Sequence, residues 1–217
     1  MAKIMRFSTG LAQRSHSFPA KLAAVFLLLD VFLFSPGAAF ANPEVPFNRI
    51  STKLYGSPVI IQNSLQKFWR SAPEWGVALE SPFYRGFMEI GLSAWSFEKT
   101  APQYPDFKAR IFYLGWGHSL QPSKRLSLFG GMVAGNFLME FPGKKGNGSE
   151  PVTESEIALG WNTGGRWHFS QNGYLWSEVR RLTILTRREI NFTTLNVGFA
   201  WQVNTPGWLR HFLAGNR

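Results

Sequence analysis

The sequence predicts an all-β fold: an antiparallel, up-and-down closed β-barrel of about eight strands that crosses a membrane, made after removal of a signal peptide. Three observations predict it. Bulky apolar residues alternate with small ones along successive segments, the connections alternate between short and long, and an export leader precedes them all. The 217 residues suffice for one domain of ordinary size. At 45% hydrophobic and 17% charged, the chain is too apolar for a disordered protein. It has no cysteine, which excludes a disulfide scaffold, a zinc finger and a thiol nucleophile. No apolar run reaches the roughly 18 residues that a helical span needs.

The leader comes first. Lys3, Arg6, Arg14 and Lys21 form a basic stretch with no acid among them, and a mostly apolar run over 22–34 follows. Ser35-Pro36-Gly37 breaks the run, and Ala39-Phe40-Ala41 supplies the small-x-small pattern of a cleavage site. That order predicts a secretory signal peptide over 1–41. The competing reading is a membrane anchor. As a helix the run would span about 20 Å, short of the roughly 30 Å hydrocarbon core, and Asp30 interrupts it. The expected organisation is a short extension over 42–47, a barrel over 48–203 and a tail over 204–217. Removal of the leader leaves 19 basic residues against 12 acidic, a net charge of +7. An exported chain of this size without cysteine fits a Gram-negative envelope better than an animal secretory route.

The strands follow in order. Trp75, Val77 and Leu79 alternate with Gly76, Ala78 and Glu80; Met88, Ile90 and Leu92 with Glu89, Gly91 and Ser93. Phe112, Leu114 and Trp116 alternate with Tyr113, Gly115 and Gly117; Ile157, Leu159 and Trp161 with Glu156, Ala158, Gly160 and Asn162. Leu195, Val197, Phe199 and Trp201 alternate with Thr194, Asn196, Gly198 and Ala200. A period of two is a strand signal; a helix would repeat at i, i+3 and i+4. Segments 126–140 and 174–187 are less clean, the first apolar on both faces, the second with Glu178 and Arg180 on one face. The connections at 81–86, 121–124 and 170–173 are short, and those at 100–106 and 141–153 long. Asn172-Gly173 is a hairpin signal.

These are seven strands, and the alternation of turns requires an eighth ahead of Trp75. It is expected within 48–64, centred on Val59-Ile60-Ile61. A helix over 58–70, with Ile61, Leu65 and Phe68 on one face, is the alternative.

Face chemistry distinguishes a soluble barrel from a membrane-spanning one. A soluble barrel turns its large apolar side chains inward. Here the second face is Gly, Ala, Ser, Thr and Asn with an occasional Glu, which suits a narrow lumen better than water. The Trp, Phe, Leu, Ile and Val face suits lipid. A β-protein crosses a bilayer only as a closed barrel, because each backbone polar group needs a partner. Trp69, Trp75, Tyr84, Trp95, Tyr104, Trp116, Trp201 and Trp208 are expected near strand ends as interfacial aromatic girdles. An eight-stranded barrel is filled by side chains, so a wide pore is not expected.

Taken together, the leader, the meander, the small face and the aromatic apolar face resemble the small outer-membrane β-barrels of Gram-negative bacteria, over residues 48–203. The resemblance implies location in the cell outer membrane, insertion by the barrel-insertion machinery, short turns facing the periplasm, and outer-membrane lipid and lipopolysaccharide as neighbours. Such barrels usually end in an aromatic residue that the machinery reads. Here the last strand ends near Trp201-Gln202-Val203 and a tail follows, in which Trp208, Leu209, Phe212 and Leu213 suggest an interfacial helical turn.

Candidates for chemistry are few. His168-Phe169-Ser170-Gln171 is similar to the His-x-Ser-Asn motif of the lipid A deacylase barrels, with Gln171 in place of Asn. The resemblance implies Ser170 as nucleophile, His168 as base and Glu178 as orienter. The plainer reading is a polar strand end. Arg180, Arg181, Arg187 and Arg188, with Lys144 and Lys145 in a long loop, form a basic set suited to lipopolysaccharide phosphates or another anion; the plainer reading is solvated loops and lumen ion pairs. His118, His168 and His211 lack metal-ligand spacing, and no cofactor is expected. An exported barrel makes nucleic acid an unsuitable partner for the charge. The expected function is non-enzymatic, structural, adhesive or envelope-maintaining. A lipid A-modifying hydrolase and a periplasmic lipid-binding β-domain are the alternatives.

Overall fold

The computed structural model describes residues 45–57, 59–62, 68–84, 86–142, 151–186 and 190–214. The predicted leader over 1–41 lies outside them. Ten strand segments form one antiparallel sheet: β1 (Arg49–Ser57), β2 (Val59–Gln62), β3 (Trp69–Ser71), β4 (Glu74–Phe83), β5 (Gly86–Lys99), β6 (Phe107–Ser123), β7 (Leu126–Phe141), β8 (Val152–His168), β9 (Gly173–Ile184) and β10 (Ile190–Asn204). A short helix, α1 (Gly207–Ala214), follows.

The segments make eight staves. β1 and β2 pair with β10 in one unbroken register, from Arg49 opposite Asn204 to Gln62 opposite Asn191. Pro58, between the two segments, lies outside the described residues. β3 and β4 both pair with β5, with the register shifted by one residue between Ser71–Phe97 and Trp75–Ala94. Each remaining strand pairs with the next, and β1 pairs with both β4 and β10, so the sheet closes on itself. Closure leaves neither β1 nor β10 as an open edge among the described residues, which a bilayer requires. The eighth strand is therefore present, centred on Tyr55 rather than Ile60, because Arg49–Ser57 carries most of its pairing. The helix alternative over 58–70 fails at Val59–Gln62 and at Trp69 and Arg70, all of them strand; residues 63–67 lie outside the described residues.

Alternation sets what faces where. Leu54, Trp75, Leu79, Ile90, Leu92, Phe112, Leu114, Trp116, Met132, Ile157, Leu159, Trp161, Leu175, Val179, Leu195, Val197, Phe199 and Trp201 are exposed on the outside. Ser51, Lys53, Glu80, Glu89, Ser93, Asn162, Arg166, Glu178, Arg180 and Asn196 are buried inside. This is the inverse of a soluble barrel and the arrangement of a lipid-embedded one. Along 126–140 both faces are apolar, as expected: Leu128 and Met132 point out, while Phe129, Val133 and Phe137 point in.

The lumen departs from expectation. It is not lined by small residues alone but holds charges at mid-height and aromatic rings toward the long-loop end. There Trp95, Phe97, Phe107, Phe137 and Phe192 are buried. Phe97 stacks on Phe107 at 4.4 Å between ring centroids, and Phe137 lies 5.6 Å from Phe192. Trp95, expected in a girdle, is only 5% exposed and packs on Phe137. Trp69 packs with both Tyr104 and Phe107. Trp75, Tyr84, Trp116, Trp201 and Trp208 are exposed as an interfacial role requires.

Candidate functional site

Five strands supply the charged groups at the centre of the lumen. Lys53 on β1 is fully buried, and its Nζ donates to Glu80 on β4 and Glu89 on β5. Arg180 on β9 places Nη2 3.1 Å from Glu89 and 2.7 Å from Glu178. Arg166 on β8 donates to Glu80 at 2.8 Å. Three cations thus meet three carboxylates. The lone pairs left over are occupied: Tyr113 donates to Glu89 at 2.8 Å, and Asn162 and Asn196 donate to Glu178 at 3.0 and 2.7 Å. Aromatic faces cover the cations, with Lys53 Nζ 4.1 Å from the Trp176 ring and the Arg180 guanidinium 4.3 Å from that of Tyr113. Buried charges persist only when paired and hydrogen-bonded in this way.

Glycines make room for this layer. A Cβ on Gly91 would lie 2.4 Å from the Tyr113 ring and hydroxyl, and one on Gly76 would lie 2.3 Å from the Tyr55 ring. The two tyrosines reach across the lumen over residues without side chains, with their hydroxyls 3.2 Å apart.

Below the charged layer the barrel opens at the short-turn end into a polar cavity of about 830 Å³, lined among others by Arg49, Glu80, Lys124, Arg125, Arg166 and His168. Above it the aromatic layer closes the lumen.

The structure does not assemble the triad that the deacylase resemblance implied. His168 ends β8 and its Nε2 lies 3.3 Å from Ser127 Oγ. Ser170 sits in the turn beyond the strand, its Oγ accepting the Asn172 N–H at 3.3 Å. Glu178 lies four residues farther along β9 than Tyr174, which is opposite His168, about 13 Å up the wall at strand rise, and is committed to Arg180 and two asparagines. The basic set is also divided. Arg180 points inward and is buried, whereas Arg181 points outward; Arg187, Arg188, Lys144 and Lys145 lie outside the described residues. The expected Glu178–Arg180 pairing is present.

Sequence reasoning missed Lys53 and Arg166 in the lumen and Lys108 and Arg110 on the outside. The signal for the outer pair was phase: both are in step with Phe112, Leu114 and Trp116, just past the end of the apolar stripe.

No protein-family model matches the sequence, and no curated protein matches it. Solved structures do match in fold. The chain is similar to Neisserial surface protein A, at 13% identity and a TM-score of 0.52 over 75% of this chain and all of that one. It is also similar to the N-terminal β-barrel domain of Pseudomonas aeruginosa OprF, at 11% identity and 0.48 over 73% of this chain and 99% of that one, and to the attachment invasion locus protein Ail of Yersinia pestis, at 12% and 0.48 over 71% and 97%. A closed eight-stave barrel with an apolar outer band and a charged, filled lumen defines the class: this is an integral β-barrel of the outer-membrane type. Its place is the outer membrane, and in barrels of that membrane the short turns usually face the periplasm.

Proposed function

We propose that the protein is a non-enzymatic envelope barrel whose contacts are made by its outer surface and its long loops, in a structural, adhesive or maintenance role. The observation that carries this reading is the filled lumen. A balanced layer of three cations and three carboxylates lies beneath a layer of stacked aromatic rings, so the barrel supports a rigid scaffold rather than a conduit. The separation of His168, Ser170 and Glu178 argues in the same direction. Lys108, Arg110 and Arg181, exposed at the upper margin of the apolar band, are suited to the anionic headgroups of lipopolysaccharide in the outer leaflet. The paired strengths of Arg110 and Glu140, 3.0 Å apart, temper but do not cancel that charge.

Planar-bilayer recording on the purified, folded protein tests the scaffold reading. The expected result is no stepwise conductance. Reproducible channel openings that vanish on denaturation would replace it with a pore, and a lipid A acyl pattern that changes on expression and reverts in Ser170→Ala would replace it with a hydrolase.

A further inference from the structure

The helix α1 presents more apolar surface than the barrel covers. Around its axis Trp208, Leu209, Phe212 and Leu213 fall on one arc of about 140°, with Arg210 and His211 about 60° beyond either edge. Trp208 is 72% exposed and Phe212 78%; Leu213 is exposed as well, and Leu209 is half-buried. Eight residues are few for a helix in water, where such short pieces hold mainly by packing an apolar face. The two large rings of that face are left uncovered by the described residues. The link to the wall fixes where the helix can lie. Only Thr205 and Pro206 separate Gly207 from the end of β10, a reach of about 10 Å from Asn204. Thr205 is buried and its N–H donates to the Asn48 carbonyl at 2.9 Å, while the Pro206 carbonyl accepts the Arg210 N–H at 3.0 Å. The outward stripe of β10 runs Leu195, Val197, Phe199, Trp201 and Val203, all exposed, and ends at the same place. The uncovered face of α1 thus begins where the lipid-facing band stops.

We propose that α1 docks on the phospholipid leaflet at the short-turn end of the barrel, lying flat in the headgroup region with Trp208 and Phe212 among the upper acyl chains. At about 12 Å long it is too short to cross a hydrocarbon core of about 30 Å, so it lies on the membrane. Tryptophan suits that depth, because its ring is apolar and its N–H polar. Arg210 lays its stem along the surface and offers its guanidinium to lipid phosphates, and His211 forms the polar edge on the other side. Continuity selects lipid as the occupant over a second copy or a soluble partner: Trp201 and Val203 already face acyl chains within reach of the link. Docking also acts on the closure of the barrel. Thr205 ties to Asn48 where β10 meets β1, so a helix held at the surface holds the foot of that seam.

The test uses the full folded chain in phosphatidylcholine nanodiscs assembled with one barrel per disc. A single cysteine, Phe212→Cys, carries an environment-sensitive fluorophore, which the absence of native cysteine permits. The same label at Gln171→Cys, in the turn between β8 and β9, is the reference for a site in water. The expected result at Phe212→Cys is blue-shifted emission, quenching by lipids with a nitroxide high on the acyl chain, and iodide quenching about fivefold weaker than at the reference. Adding Trp208→Asp and Leu213→Asp is expected to raise iodide quenching to the reference level. Unchanged heat-dependent gel mobility verifies that each variant is folded, since the substitutions lie outside the barrel wall. Iodide quenching equal at the two labels, or protection unchanged by the two aspartates, overturns the proposal. Protection that appears only with two barrels per disc assigns the face to a second copy and overturns it as well.

Discussion

Arg180 shows how a charge survives in the middle of this barrel. Its guanidinium meets Glu89, Glu178 and the Tyr113 hydroxyl, and the residue is 1% exposed. Such a group adds little net stability compared with an apolar substitute for the whole network, but removing one member strands the others. Arg180→Met leaves Glu178 facing two asparagines and no cation within the described network. It is expected to cost about 3–5 kcal/mol, read as a lower urea midpoint for unfolding in lipid vesicles. Adding Glu178→Gln to Arg180→Met is expected to recover part of that loss, because the stranded charge goes with it. Space matters as much as charge here. Gly91→Val would press on Tyr113 and pull its hydroxyl from Glu89, at about 1–3 kcal/mol for overpacking. At Gly115 the nearest atom to an added Cβ is 3.5 Å away, an ordinary contact, so Gly115→Ala is expected to leave the same midpoint nearly unchanged.

At the scale of the strand, the outward stripe decides whether a segment belongs in lipid. On β6 the stripe runs Lys108, Arg110, Phe112, Leu114, Trp116, and Leu114 sits between Ile90 and Ala134 of the neighbouring strands. Leu114→Arg is expected to destabilise the folded barrel by about 2–4 kcal/mol, the cost of a cation near the bilayer midplane, as measured by reversible unfolding in bilayers. The same stripe explains what the sequence made legible. Where one face is uniformly large and the other uniformly small, as in β10, period two locates both the strand and its orientation. β1 hides because its outward face is Thr52, Leu54 and Gly56 and its inward face contains Lys53, so the contrast between faces is weak. Ile61, Leu65 and Phe68 also happen to share helical spacing. Trp95 was legible by phase, since it is in step with the inward Glu89 and Ser93 rather than with Ile90 and Leu92, but its size alone suggested an interface. The three residues of the candidate triad lie apart for a related reason: residues i and i+2 share a face only inside a strand, and β8 ends at His168. The lumen pairs were hardest to foresee, because Lys53, Glu80, Glu89 and Arg166 come from four strands, and Lys53 and Arg166 fall in stretches with little alternation.

The whole molecule combines two opposite arrangements along one axis. In its lower part, polar and charged groups are inside and apolar groups outside. In its upper part, Trp95, Phe97, Phe107, Phe137 and Phe192 fill the interior, while Lys108, Arg110, Glu140, Thr153 and Ser155 occupy the outer wall. The upper part follows the rule of a protein in water, the lower that of a protein in lipid. The level at which the pattern inverts therefore marks the outer surface of the membrane, and β5 to β8, at 14–17 residues, are long enough to continue above it. The absence of native cysteine permits a direct check with single cysteines and a membrane-impermeant maleimide on intact cells. Lys108→Cys and Ser155→Cys, above the inversion, are expected to react. Leu114→Cys and Leu159→Cys, below it and facing acyl chains, are expected to stay unlabelled before and after the outer membrane is permeabilised. Gln171→Cys, in the turn between β8 and β9, is expected to react only after permeabilisation, because short turns of such barrels usually face the periplasm. Labelling of Leu114→Cys in intact cells would move the membrane boundary, and labelling of Gln171→Cys without permeabilisation would invert the barrel.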